Sequence, residues 1–97
     1  MNYRNVYRAL AIKDAINVLF NIYEGCKIEE YLTFDDIVKK LNKPRGNIRR
    51  ITNRLSSCGV IRSIKANTQD KRKRVYVVNS VTVCDLIKEL TQEIMDN

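Results

Sequence analysis

Pro44-Arg45-Gly46-Asn47-Ile48-Arg49-Arg50-Ile51-Thr52-Asn53-Arg54-Leu55-Ser56-Ser57-Cys58-Gly59 is the stretch on which the fold turns. Ile48, Ile51, Leu55 and Cys58 recur at steps of three, four and three. At about 100° per residue they share one face of a helix, with Thr52 at its margin. Pro44 pre-sets the backbone at a helix start, where its missing N–H costs nothing. Gly59 supplies a left-handed C-terminal cap. The stretch therefore predicts a helix over 44–58 with one aliphatic face. The opposite face carries Arg49, Arg50 and Asn53, joined near its start by Arg45 and Gly46.

Working outward toward the N-terminus, Thr33 precedes Phe34-Asp35-Asp36, a capping box with Asp36 in place of the usual Glu. Ile37, Val38 and Leu41 give that helix, expected over 34–42, its buried side. Ile28 to Leu32 reads as a short strand or extended segment. Val6, Leu10, Ile12, Ile16, Leu19, Phe20 and Tyr23 fall at helical steps and predict one helix over 5–23, stopped by Gly25. Its apolar stripe is broad, which suits a helix packed on its own domain and on something else.

Toward the C-terminus, 60–78 reads as a hairpin, firmest at Val75-Tyr76-Val77-Val78, where β-formers cluster. Its loop, residues 67–73, is polar and highly charged. Ser80 or Thr82 can cap a last helix over 81–96. In that helix Val83, Ile87, Leu90 and Ile94 follow a 4-3-4 spacing, the seam pattern of paired helices. With Leu10 they form the expected homodimer interface. The whole, 1–97, is expected to be a single α+β domain, mostly α.

The 97 residues are 44% hydrophobic with three Gly and one Pro, a composition that folds rather than one that stays disordered. Net charge is +7, unevenly spread. Residues 43–74 hold eleven bases against Asp70 alone, whereas the remainder holds seven bases and ten acids. Like charges gathered this way point to a polyanionic partner. With no His, no Gly-rich phosphate loop and no carboxylate cluster beyond Asp35 and Asp36, no catalytic constellation is present, so an enzyme is not expected. Cys26, Cys58 and Cys84 cannot form a closed set of intrachain disulfides and lack zinc-ligand spacing. Buried thiols are the expectation, an intermolecular Cys26 or Cys84 bridge the alternative. No run of 18 apolar residues spans a membrane and the start lacks a signal-peptide core, so a cytoplasmic protein is expected, nucleoid-associated or in a host cytoplasm if viral.

Two short helices followed by a hairpin present the second helix to the major groove of double-stranded DNA, about 12 Å wide. Arg49 and Asn53 stand one turn apart; arginine can hold guanine and asparagine adenine through paired hydrogen bonds. Gly46 allows the helix start to approach a phosphate closely. Lys71, Arg72, Lys73 and Arg74 in the hairpin loop are placed to meet the backbone or the adjacent minor groove. Arg45, Gly46, Asn47, Arg49, Arg50, Asn53 and Arg54 make up the DNA-binding set on the helix.

Gly46 to Asn79 resembles the recognition helix and wing of the multiple-antibiotic-resistance-regulator (MarR) family of winged helix-turn-helix transcription factors. Asn47-Ile48-Arg49-Arg50-Ile51-Thr52-Asn53-Arg54-Leu55 is similar in its apolar positions and in Arg50. Gly59-Val60-Ile61 is similar to the end of that family's helix, and Asp70-Lys71-Arg72 with Val77-Val78-Asn79 to its wing. The resemblance implies a winged helix-turn-helix with flanking helices at each end. It also implies that Asp70 braces the wing against Arg72, and that Arg72 enters the minor groove. Asn79 departs from the family's usual Thr. The helices that usually build a ligand pocket are reduced to one at each end, which argues against a small-molecule effector; no cofactor is expected. Val83-Cys84-Asp85-Leu86 resembles part of the metal-sensing motif of the arsenic-responsive repressors. Here, however, it follows the wing instead of preceding the recognition helix, so no metal is expected. The function expected is a sequence-specific regulator, read as a repressor, binding as a homodimer and typical of short archaeal or viral regulators. The alternative is an architectural or replication-associated DNA binder with little sequence preference.

Overall fold

The computed structural model describes residues 3–66 and 73–96. In chain order they form α1 (Arg4–Leu10), α2 (Ala15–Lys27), α3 (Phe34–Leu41), α4 (Arg45–Ser57), β1 (Ile61–Lys65), β2 (Arg74–Val78) and α5 (Ser80–Asp96). This is the winged helix-turn-helix arrangement, five helices and one antiparallel hairpin.

Both ends of α4 follow from its sequence. Pro44 stands just outside the helix as N-cap, one residue before the first helical position, and its carbonyl accepts from Asn47 N and Ile48 N. At the other end Gly59 takes φ +83°. Val60 N then donates to Leu55 O at 3.0 Å and Gly59 N to Ser56 O at 3.1 Å, the paired bonds of a Schellman motif. Ile48, Ile51, Thr52 and Leu55 are buried, and the Thr52 hydroxyl is satisfied by Arg49 O. Cys58, the C-cap, is half-buried and packs against the core at the end of the aliphatic face.

The single helix expected over 5–23 is two helices, separated at residues 11–14. Asp14 closes the break in the left-handed region (φ 70°), which a short polar side chain tolerates better than most. It also lies 3.8 Å from Lys43 Nζ. The trace of the break in the sequence is the two-residue step from Leu10 to Ile12, which throws the helical phase. Val6 and Ala9 then bury from α1, and Ala15, Val18, Ile22 and Gly25 from α2.

Gly25 does not stop α2, which runs on to Lys27. The stop is another Schellman closure, with Glu30 N bonded to Gly25 O at 2.9 Å and Glu29 N to Cys26 O at 3.3 Å. Glu29 occupies the left-handed position (φ 59°) that usually falls to glycine. The returning chain passes so near Gly25 that a Cβ there would lie 2.7 Å from Glu30 O. The glycine serves close approach, one turn before the end.

The strand expected at Ile28 to Leu32 shrinks to one bridge, Leu32 with Tyr76, where Tyr76 N donates to Leu32 O at 2.9 Å. That rung fastens the hairpin to the entrance of α3. Within the hairpin β1 and β2 pair from Ile61↔Val78 to Lys65↔Arg74, and Ala66 N donates to Lys73 O. Ile61 and Tyr76 face the core, which gathers residues from all five helices and both strands.

The last helix is capped neither by Ser80 nor by Thr82. Asn79 Oδ1 accepts from Thr82 N at 3.5 Å, three residues on, and Ser80 is the first helical residue. Thr82 and Leu86 are buried and Val83 packs against the core. The side chains of Ile87, Leu90 and Ile94 fall outside the described set. Of the three thiols, Cys26 and Cys58 are half-buried and Cys84 is exposed, against the expectation of burial for all three. Among the described residues all three cysteines are free, no helix is long and apolar enough to cross a membrane, and no His, Cys, Asp and Glu cluster could hold a metal.

Candidate nucleic-acid interface

Arg45, Gly46, Asn47, Arg49, Arg50, Asn53 and Arg54 are all exposed on α4. They do not face one way. The structure divides them between two flanks of the helix, with Gly46 and Asn53 near the midline. Gly46 meets open space, since a Cβ there would find no atom within 4 Å.

On the hairpin side, the start of α3, the start of α4 and the two strands enclose an open valley of about 660 Å³. Arg45, Arg49, Lys73 and Arg74 line it together with Phe34, Asp35 and Asp36. The arginines here are held. The Arg49 guanidinium lies 3.8 Å from the Phe34 ring centroid and that of Arg45 4.9 Å, within cation–π range. Arg45 Nη1 also donates to Asp35 Oδ1 at 2.7 Å, between two well-exposed side chains. Such an exposed pair adds little stability, so its consequence is orientation. Arg74 is pinned across the hairpin, Nε to Ser63 Oγ and Nη2 to Ser63 O, both at 2.9 Å.

The valley's floor is set by the α3 cap. Asp36 N donates to Thr33 Oγ1 at 3.1 Å and Thr33 N to Asp36 Oδ2 at 2.9 Å, so the capping box read from the sequence is complete. The Thr33 N–H does most to hold the Asp36 carboxyl below its ordinary range. Partial burial opposes it, and the Thr33 hydroxyl, Lys73 and Lys39 reinforce it. Phe34, the first residue of α3, is thereby fixed where its ring can support two residues of α4.

On the other side, Arg50 and Arg54 turn toward α1, where they line a separate cleft with Arg8. Asn47 and Arg50 also border a smaller hollow with Ile12, Lys13 and Asp14. Sequence reasoning missed Phe34 as a support and Arg8 as a neighbour of α4. Both effects are tertiary, and no spacing along the chain marks them. Asp70, Lys71 and Arg72 lie outside the described residues.

Leu10 packs half-buried against the core. The apolar surface lies elsewhere: Ile16 is 64% exposed, Phe20 57% and Tyr23 49%. These three line an apolar groove with Leu19, Val78 and Val83, between α2, the end of β2 and the first turns of α5.

Neither a family model nor a curated protein matches the sequence. Solved structures do match the fold. An ArsR-like transcriptional regulator from Rhodococcus sp. RHA1 superposes with a TM-score of 0.79 at 17% identity, over 97% of this chain and 78% of that one. MarR itself gives 0.62 at 18% identity, over 97% and 66%. The S. aureus MepR protein, solved in complex with DNA, gives 0.59 at 13% identity, over 96% and 80%. At these identities the likeness shows the winged helix-turn-helix fold.

Proposed function

We propose that this protein is a sequence-specific regulator of transcription that binds double-stranded DNA through α4 in the major groove, with the hairpin on the adjoining backbone or minor groove. The observation that carries this is the stacking of Arg49 on Phe34 at 3.8 Å, on a helix face that is otherwise solvent. A guanidinium held in place before binding loses less conformational freedom when it meets a base edge, and base-edge contacts are what specify sequence. A protein that only needs cations has no use for such a support. The exposed Asn53 and the uncovered Gly46 start complete the reading face. Among the structural neighbours, S. aureus MepR was solved in complex with DNA, which supports DNA binding as the function.

The regulator acts as a homodimer. Ile16, Phe20, Tyr23 and Val81 expose apolar area around the base of α5. Contiguous apolar patches of this kind mark association surfaces. In the sequence of α5, Val83, Ile87, Leu90 and Ile94 keep the spacing of a paired-helix seam. Repression is the role assigned, since it requires only occupancy of the site.

Selection from random duplexes tests the reading. An inverted repeat with half-sites about one helical turn apart is the expected product of a symmetric dimer. A single unrepeated half-site excludes the dimer, and flat enrichment leaves an architectural binder in its place.

A further inference from the structure

The cleft between α1 and α4 is lined by three arginines, Arg8, Arg50 and Arg54, around an open volume of about 500 Å³. Asn5 and Ser57 add polar groups at its rim, and among the described residues no carboxylate lines it. Among the described residues the ion pairs Lys43–Asp14 and Arg45–Asp35 lie elsewhere, and none of the three arginines is neutralised by an acid. All three are exposed. Arg8 lies in the last turn of α1 and Arg54 in the last turn of α4, where the carbonyl ends of the helices temper the mutual repulsion without cancelling it. Three arginines lining one cleft, none of them ion-paired to an acid among the described residues, suit a phosphate group, whose oxygens take paired N–H donors.

We infer that this cleft is a second phosphate site, taking a backbone phosphate of the DNA strand on the wall of the major groove opposite the hairpin, with Arg8 as a DNA contact. The inference rests on the DNA-binding reading above. A helix with its side chains is about 10–12 Å across, nearly the width of the groove, so whatever flanks α4 meets a groove wall. The hairpin flanks it on one side and the end of α1 on the other. Arg8 lies outside the basic run of residues 43–74, and only the packing of α1 beside α4 brings it to this surface.

The test is a salt titration of duplex binding with the full chain, comparing wild type, Arg8→Gln, Arg54→Gln and Lys27→Gln. Lys27 is exposed at the end of α2 and lines neither cleft, so it controls for net charge alone. Arg8→Gln is expected to weaken binding about three- to tenfold at low salt and to flatten the log–log salt slope by about 0.9, one phosphate's worth. Arg54→Gln should do the same, and Lys27→Gln should match wild type. Ethylation interference should lose one backbone position per half-site in Arg8→Gln. If wild type fails to bind duplex at all, the functional reading itself falls. If wild type binds with a steep salt slope and Arg8→Gln is indistinguishable from Lys27→Gln, only the second site is overturned. Inorganic phosphate, titrated without DNA, separates the sources. Binding that Arg8→Gln abolishes, with duplex affinity unchanged, would assign the cleft to a free anion and refute the backbone contact.

Discussion

The two flanks of α4 carry arginines in opposite states. Beside the hairpin, Arg45, Arg49 and Arg74 are each engaged, with Phe34, Asp35 and Ser63. Beside α1, Arg8, Arg50 and Arg54 share a cleft that no acid lines among the described residues. An engaged arginine has already lost part of its rotamer freedom and points along a fixed direction. A free one keeps its reach and its full charge. The first state favours discrimination between bases and the second favours affinity for a uniform polyanion. On the proposed function, one helix would have a reading side and a gripping side, although its sequence shows only a single basic face.

Arg49→Ala has the largest expected effect. A bidentate base contact accounts for about 1–3 kcal/mol of discrimination, so site selection with this variant should lose preference at one base per half-site. Binding to unrelated duplexes should change far less. If specific and nonspecific affinity fell together, the hairpin side would be gripping as well.

Next in size is the α3 cap, which underlies only the reading side. Thr33→Ala should cost about 1 kcal/mol in denaturant unfolding. Acid attacks the same cap. Because the folded Asp36 carboxyl titrates below its ordinary value of 3.8, its contribution is fully present above that pH. It is lost as pH falls through the lower folded value, since the unfolded chain takes up the proton first. Wild type should therefore lose stability on acidification below about pH 4 more steeply than Asp36→Asn, measured by urea unfolding at each pH.

Phe34→Leu is the mildest. It keeps an apolar side chain and removes the aromatic face, a loss of about 0.5–1 kcal/mol at an exposed site. Affinity for the selected site should drop a few-fold while the salt slope stays put. A changed slope would mean that Arg49 grips a phosphate.

How much of this was legible in the sequence divides along physical lines. The cap at Thr33, the buried stripe of α4, the Gly59 closure and the hairpin all obey rules acting between near neighbours or along a repeating pattern, and the structure keeps them. Gly25 misleads because glycine marks either a left-handed turn or a close approach, and only the path of residues 28–32 tells which. Ile16, Phe20 and Tyr23 read as part of one apolar stripe because apolarity does not distinguish an inward face from an unpartnered one. Val18 and Ile22 are the large residues of α2 that reach the interior. Arg8 and Phe34 belong to other helices, and packing alone brings them to the surface of α4.

Gly46 carries one more consequence. It sits in the first turn of α4, with ordinary helical backbone and nothing in the protein for a side chain to strike. Alanine at this position should raise stability by about 0.5–1 kcal/mol, the helix penalty that glycine carries. The fold thus has room for a side chain there, and on the proposed function the cost of a substitution would fall on contact with the nucleic acid. That makes position 46 a natural handle for redesign. If α4 reads DNA as proposed, a polar side chain introduced there should change the selected binding site without a compensating change in the core.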